Sequence, residues 1–183
     1  VVSIGNDNTF LADTSFGIAT ENIEDKIVEL GGNPVGFATA THFHGDHTEG
    51  FEILDPSVVI ITPTKQRNRL ATGEVVGGER PLMATALPKI TFNSDVTLYL
   101  NNEEIRIYTP SIINSHTDTD AFVYFVNANV LYIGDHLFLD RYPIIDLDNG
   151  GDIDGYFANI KNILDNQNAK TLIVPGHGTF EPD

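Results

Sequence analysis

The sequence of 183 residues contains no cysteine. That absence excludes disulfide bonds, thiolate metal ligands and cysteine nucleophiles, and it leaves the redox compartment of the protein open. Any metal ion that this chain binds must therefore be held by nitrogen and oxygen atoms. Six histidines and 26 acidic residues are present to supply them.

Positive charge is scarce. Only 10 Lys and Arg stand against the 26 Asp and Glu, and the formal net charge is −16. A chain of this charge repels a phosphate backbone, so we expect no nucleic-acid partner. The acidity indicates a well-solvated surface, with adaptation to a saline environment as the alternative.

Long apolar runs are missing as well. No run approaches the roughly 20 residues that a membrane-spanning helix requires. We therefore expect a soluble protein without a membrane partner, either cytoplasmic or exported after removal of a signal peptide. Its expected partner is a small-molecule substrate, and the oligomeric state stays open.

The order of predicted elements indicates one α/β domain over residues 1–183. No repeat and no Pro- or Ser-rich linker divides the chain. Apolar periodicity predicts an opening hairpin, helices on either side of a β-meander, and a long loop over 71–88 that borders the site. The predicted helices cover 21–30, 65–70 and 152–164, and the predicted strands cover 1–4, 9–12, 35–41, 58–62, 90–92, 96–100, 105–108, 121–126, 130–133 and 172–174.

The segment His42-Phe43-His44-Gly45-Asp46-His47 directly follows a predicted strand. His42 and His44 alternate at the strand end and can converge on one ion, while Asp46 and His47 can turn towards a second. A catalytic zinc takes three protein ligands and keeps one position for water, so this segment requires further ligands.

Three later residues meet that requirement: His116, Asp135 and His177. Each lies just past a predicted strand, where a rigid element can place a ligand accurately. Taken alone, each would be an ordinary loop or turn residue. Together with the first segment they predict a metal site.

These residues, in this order, resemble the metallo-β-lactamase superfamily over nearly the whole chain. The segments Leu11–Thr14, Ile133–Asp135 and Pro175–Gly178 are similar to recurring strand-end segments of that family. The resemblance implies an αββα four-layer sandwich with metals at one edge of the β-sandwich. It also implies one metal at His42, His44 and His116, a second at Asp46, His47 and His177, and Asp135 as the bridge between them.

The identity of residue 135 bears on the substrate. The β-lactamases of the family usually carry Cys or Ser at the position of Asp135, whereas glyoxalase-II-like thioesterases and lactonase-like members carry Asp. The resemblance therefore implies cleavage of an ester, lactone or thioester, with β-lactam hydrolysis as an alternative. The chain begins inside the first hairpin and ends soon after His177, so we expect terminal elements of the family, including a glyoxalase-II-type substrate domain, to be missing.

The mechanism expected from this scheme is attack on a carbonyl by a hydroxide that bridges two metal ions, with Asp46 as the catalytic residue that orients it and moves its proton. Two Zn²⁺ ions are the expected cofactors, although His and Asp ligands also accept iron or manganese. Iron would permit a second class of function, an oxidoreductase similar to the persulfide dioxygenases. A binding module with a structural metal is disfavoured because structural sites are closed and seldom binuclear.

Four further residues carry predictions. Asp13 and Asp118 are candidates to accept the second N–H of a ligating imidazole, with turn or cap roles as the alternative. Tyr142 is a candidate substrate contact, with packing as the alternative. His136 is predicted to be structural because a continued strand would point it away from Asp135.

Overall fold

A computed structural model describes residues 1–73, 81–139 and 141–178 of the chain. The strands, β1 to β10 in chain order, are Val2–Ile4, Thr9–Ala12, Val35–Thr39, Val59–Pro63, Ile90–Phe92, Asp95–Leu100, Glu103–Tyr108, Phe122–Phe125, Val130–Tyr132 and Leu172–Val174. They form two five-stranded sheets, ordered β1-β2-β3-β4-β5 and β10-β9-β8-β7-β6. Strands β2 to β5 run parallel, β6 to β9 form an antiparallel meander, and β10 pairs with β9 in parallel.

Within the described ranges, four α-helices accompany the sheets: α1, Gly17–Glu29; α2, Gly45–Thr48; α3, Thr64–Thr72; and α4, Ile153–Asn166. Helix α4 begins where the side chain of Asp152 accepts a hydrogen bond from the Gly155 amide at 2.7 Å, an N-cap that satisfies one free donor of the first turn. Helix α3 ends at Gly73, whose φ of 68° is left-handed and suits glycine. Among the described residues, no helix combines the length and apolar character that crossing a membrane requires.

The hydrophobic core is divided among three interfaces, which establishes the predicted αββα sandwich. Apolar side chains of both sheets meet in the centre, including Phe10, Ile61, Ile107 and Phe125. Outside the first sheet, Ile27 of α1 belongs to the buried cluster that contains strand residues such as Leu11, Ala38 and Ile60. Outside the second sheet, Ile163 of α4 packs with Phe122, Leu131 and Ile133.

The predicted elements are largely confirmed, with differences at their ends. The opening hairpin is present, since Val2 pairs with Leu11 in an antiparallel register. The first helix begins at Gly17, earlier than its acidic run suggested, and α2 was not predicted. Of the loop predicted over 71–88, residues 74–80 lie outside the described residues, and Ala84–Ala86 form a 3₁₀ turn.

The candidate ligands all follow strands at one edge of the sandwich. The first histidine segment follows β3, Asp135 follows β9, and His177 follows β10, which runs parallel to β9. Parallel strands bring their carboxyl ends to the same edge of a sheet, so loops that are distant in sequence meet there. The fold thus brings the separate ligand segments together.

Helix α1 offers a matched test of this packing. Ile27 is 2% exposed and Ile18 is 79% exposed, on the same helix. Ile27→Ala should lower the free energy of unfolding by about 2–5 kcal/mol, because it removes buried methyl groups and leaves a cavity. Ile18→Ala should change it by less than about 0.5 kcal/mol. Urea unfolding of both variants measures the difference, and equal effects would contradict the assigned packing.

Candidate metal centre

Three imidazoles converge at the edge of the sandwich. The Nε2 atom of His42 lies 2.9 Å from Nδ1 of His44 and 3.2 Å from Nε2 of His116, and the last two atoms are 3.3 Å apart. His42 and His116 are buried, each 1% exposed. Three ring nitrogens at one point need a shared cation or proton, because nitrogen lone pairs repel one another.

A second group lies beside the first. The Nε2 atom of His177 is 3.2 Å from Oδ2 of Asp46, and Nε2 of His47 is 3.4 Å from the same oxygen. The short helix α2 places Asp46 and His47 on successive positions of its first turn. These three residues form a set of nitrogen and oxygen atoms close enough to surround one ion.

Asp135 stands between the two groups. Its Oδ2 atom lies 3.6 Å from Nε2 of His116 and 3.9 Å from Nε2 of His42, in the first group. The same oxygen is 3.2 Å from Nε2 of His177, and Oδ1 is 3.3 Å from Nε2 of His47, in the second. One carboxylate therefore faces ligand atoms of both groups.

Asp135 lies in close contact with the backbone of Gly176. A Cβ atom added to Gly176 would lie 2.2 Å from Oδ1 of Asp135 and 2.6 Å from the carbonyl carbon of Gly134. Since real Cβ atoms do not approach other atoms so closely, any side chain at 176 would displace the carboxylate or the chain. The loop before His177 can come this near to Asp135 only as glycine.

The residues present fit a metal. Nε2 of His47 and Oδ1 of Asp135 are buried and make no hydrogen bond, an arrangement that costs about 1–3 kcal/mol for each group. Four zinc ligands at about 2.0–2.1 Å in a tetrahedron lie about 3.3 Å from each other. The nitrogen separations in the first group, 2.9 to 3.3 Å, are close to that value.

At His42, His116 and Asp46 the electrostatics favour the protonation states that a metal requires. Burial lowers the pKa of His116 to about 4. Burial also lowers the pKa of His42 well below its ordinary value, and the neighbouring imidazoles add to that shift. Burial raises the pKa of Asp46, but the nearby imidazole of His47 outweighs it and brings the pKa to about 2. Neutral imidazoles and an ionised carboxylate are the forms that bind cations.

Asp13 lies where the sequence predicted a carboxylate behind a ligand. Its Oδ2 atom is 2.6 Å from Nδ1 of His47, and the same side chain accepts hydrogen bonds from the amide and hydroxyl of Thr41 and from the hydroxyl of Tyr132. Burial lowers the pKa of His47, but the charge of Asp13 outweighs it and raises the pKa well above its ordinary value. A cation at Nε2 of His47 therefore displaces a proton.

Asp118 does not contact an imidazole. Its carboxylate accepts hydrogen bonds from Nε and Nη2 of Arg69 at 2.8 and 2.7 Å, and Nζ of Lys65 lies 2.7 Å away. The carboxylate beside a first-group imidazole is Asp146, whose Oδ2 atom lies 2.8 Å from Nε2 of His44. Sequence reasoning missed Asp146, because the acidic turn over 146–152 has nothing that separates it from its neighbour Asp148.

His136 and Tyr142 lie outside both ligand groups. His136 is buried, with Nε2 at 2.5 Å from Oγ of Ser115, and its ring stacks on Tyr156 with centroids 5.3 Å apart. Those contacts fit a structural role, but the reason given for that prediction was wrong, because Gly134–His136 form a 3₁₀ turn and not a continued strand. The side chain of Tyr142 is 93% exposed, and its contact with a substrate stays a prediction.

A cleft of about 340 Å³ opens beside the second group. The described residues that line it are Val1, Asp13, Ser15, Phe16, Asp46, His47, Tyr132, Gly176 and His177. The set combines ligand atoms with the half-exposed ring of Phe16, and it contains no Lys or Arg. A substrate can therefore reach the second group from solvent.

Metal should stabilise this protein measurably. Adding Zn²⁺ at 100 times its dissociation constant to chelator-treated protein should raise the free energy of unfolding by about 2.7 kcal/mol, because the folded state alone assembles the ligands. His116→Ala should reduce the rise, since it removes one nitrogen of the first group. The affinity should increase with pH, because binding displaces the proton that Asp13 favours on His47. Thermal unfolding with and without metal measures the effect, and identical midpoints would contradict the site.

The similarities to known proteins agree with the fold and the cluster. The family model of the metallo-beta-lactamase superfamily matches residues 1–177. A metallo-beta-lactamase from Pontibacter korlensis superposes with a TM-score of 0.78 at 21% identity, over 97% of this chain and 78% of that one. The metallo-beta-lactamase IND-7 superposes with a TM-score of 0.80 at 17% identity, over 100% of this chain and 79% of that one.

At such identities the structural likeness establishes the fold alone, whereas the family model covers nearly the whole chain. With His and Asp groups that are able to bind metal ions, the chain belongs to the metallo-beta-lactamase superfamily of metal-dependent hydrolases.

Proposed function

We infer that this protein is a dinuclear hydrolase that cleaves an ester, lactone or thioester. The observation that carries the inference is the position of Asp135, whose two oxygens face ligand atoms of both groups at 3.2 to 3.9 Å. A carboxylate so placed fits a bridge between two cations. In this assignment His42, His44 and His116 would hold one ion and Asp46, His47 and His177 the other, and Asp135 would serve both groups.

The chemistry of the donor set supports zinc. Five imidazoles and two carboxylates suit Zn²⁺, and they also accept Mn²⁺ or Fe²⁺. When bound, such ions lower the pKa of water towards about 7 and polarise a carbonyl oxygen.

Asp46 has the properties of the catalytic carboxylate. It lines the cleft between His47 and His177, with 27% of its side chain exposed. Its pKa of about 2 keeps it ionised at neutral pH. An ionised carboxylate at the cleft wall accepts a hydrogen bond from the attacking water, and so orients the oxygen towards the substrate carbonyl.

The wall of the cleft favours an uncharged acyl group. Phe16 lines it and is 52% exposed, so an apolar portion of the substrate can cover the ring and remove it from water. No Lys or Arg is among the described lining residues to pair with a phosphate or a carboxylate. These features favour neutral esters, lactones and thioesters over phosphodiesters.

β-Lactam hydrolysis is the second candidate. It is favoured by the solved structures to which the fold is similar, since those proteins are named metallo-beta-lactamases. Against it stands Asp135, which occupies the position where the resemblance places Cys or Ser in dedicated β-lactamases. The two candidates share the metal groups and differ in the acyl substrate.

Replacement of Asp46 tests its role. In the presence of excess Zn²⁺, Asp46→Asn should lower kcat by about 10²-fold or more, because the amide carries no charge and is a weaker acceptor for the attacking water. Circular dichroism should remain that of the parent protein. Asp95→Asn, at an exposed position of β6 in the other sheet, serves as the matched control and should retain full kcat. Full activity of the Asp46 variant would remove this residue from the mechanism.

An activity panel tests the reaction class. Protein loaded separately with Zn²⁺, Mn²⁺ or Fe²⁺ should hydrolyse lactones, esters or thioesters faster than β-lactams or phosphodiesters, and it should contain two metal ions per chain. β-Lactam turnover exceeding that of every other substrate would favour the second candidate. One iron per chain together with persulfide oxidation would replace the hydrolase with a dioxygenase.

A further inference from the structure

His44 differs from the other histidines of the cluster in the ring atom that it presents. It faces His42 and His116 with Nδ1, whereas those two residues face the common point with Nε2. The opposite atom of the His44 ring, Nε2, lies 2.8 Å from Oδ2 of Asp146. An ionised carboxylate only accepts hydrogen bonds, so this contact places the proton on Nε2 and leaves the lone pair on Nδ1.

Asp146 is itself held in place. Its Oδ2 atom also accepts a hydrogen bond from Nδ2 of Asn149 at 2.7 Å, and its Oδ1 accepts one from the Asn149 amide at 3.2 Å. Its own amide donates to the carbonyl of His116 at 2.9 Å. Asp146 is thus held by hydrogen bonds to Asn149, to the backbone carbonyl of His116 and to the ring of His44.

The same loop, residues 144–151, also orients His116. The Nδ1 atom of that ring lies 2.8 Å from the carbonyl oxygen of Ile144, which can only accept, so Nδ1 carries the proton and Nε2 is left free. A Cβ atom on Gly151 would lie 2.6 Å from the carbonyl oxygen of His116, which shows how closely the loop packs on this segment. Two of the three imidazoles in the first group take their proton positions from this one loop.

We propose that Asp146 is a positioning residue, which holds His44 as the Nε2–H tautomer and thereby sets the metal affinity of the first ligand group. This inference rests on the proposed function only in taking His44 and His116 as ligands. It assigns to Asp146 the role that the sequence suggested for Asp118, whose carboxylate is engaged by Arg69 and Lys65.

A purely structural role is the competing explanation, because Asp146 also caps the turn Leu147–Asn149 through its side chain. Three variants separate the two roles. Asp146→Ser keeps a hydroxyl that can cap the turn but is too short to reach His44. Asp146→Asn keeps an amide oxygen that can still accept from His44. Asp148→Asn removes an exposed charge from the same turn and serves as the matched control.

The first measurement uses metal-free protein. Long-range ¹H–¹⁵N spectra at pH 8 report which nitrogen of His44 carries the proton. The parent protein, Asp148→Asn and Asp146→Asn should show the Nε2–H form, whereas Asp146→Ser should show a mixture of tautomers. An unchanged Nε2–H signal in the Ser variant would overturn the proposal.

The second measurement is the dissociation constant for Zn²⁺, obtained by competition with a chromophoric chelator. Asp146→Ser should bind the ion of the first group about 10–100-fold more weakly than the parent, the range seen when a partner of a ligating imidazole is removed. Asp146→Asn should recover most of that loss, and Asp148→Asn should match the parent. Equal affinities throughout would overturn the proposal. If the Ser variant does not fold, Asp146→Leu in its place decides both measurements.

These outcomes are independent of the reaction. A protein that hydrolyses nothing in the activity panel, yet shows the tautomer and affinity changes, would remove the proposed function and leave the role of Asp146 intact. Hydrolysis with no change at His44 would overturn the role of Asp146 and leave the proposed function intact.

Discussion

The whole arrangement depends on the crowding of nitrogen and oxygen atoms around Asp135. A buried carboxylate faces imidazoles on two sides, and two of the atoms involved, Oδ1 of Asp135 and Nε2 of His47, make no hydrogen bond. A folded chain tolerates such a cluster only when the surrounding structure prevents it from relaxing. Here the restraint comes from the strands, which end rigidly at the edge of the sandwich, and from the side chains behind each ring.

The side chains and backbone atoms behind the rings come from different parts of the fold in the two candidate groups. The second group is supported by Asp13, at the end of β2, which is shared among His47, Thr41 and Tyr132. The first group is supported by the 144–151 loop, which reaches His44 with a carboxylate and His116 with a carbonyl. Asp13 is buried and directly follows β2 of the first sheet, whereas the 144–151 loop leads into α4.

Much of the fold and of the candidate site could be predicted from the sequence, because the signals lie in short segments of the chain. His42, His44, Asp46 and His47 lie within six residues, so their convergence follows from the turn after one strand. The αββα layering was implied by the family resemblance, and the strand alternation and the apolar face of α4, which are strong periodic signals, indicated a layered α/β sandwich. Asp13 could be named because it follows a strand directly.

The contacts of Asp118 and Asp146 could not be predicted in the same way. Which acidic residue of a loop meets an imidazole depends on how that loop folds back, and this is set by long-range packing. The carboxylate of Asp118 binds Arg69 of α3. The carboxylate that contacts the His44 ring is that of Asp146, which lies 102 residues after His44 in the sequence. Helix α2, with four residues, is too short to leave a periodic pattern.

Gly176 carries a consequence for how members of this fold can diverge. Because a Cβ atom at 176 would lie 2.2 Å from Oδ1 of Asp135, the position of Asp135 between the two candidate groups depends on a residue that contributes no ligand atom to either. Substitution there can displace Asp135 while every candidate ligand stays in the sequence. The list of candidate ligands alone therefore does not determine the geometry of such a cluster, because the space beside this carboxylate also decides where it lies.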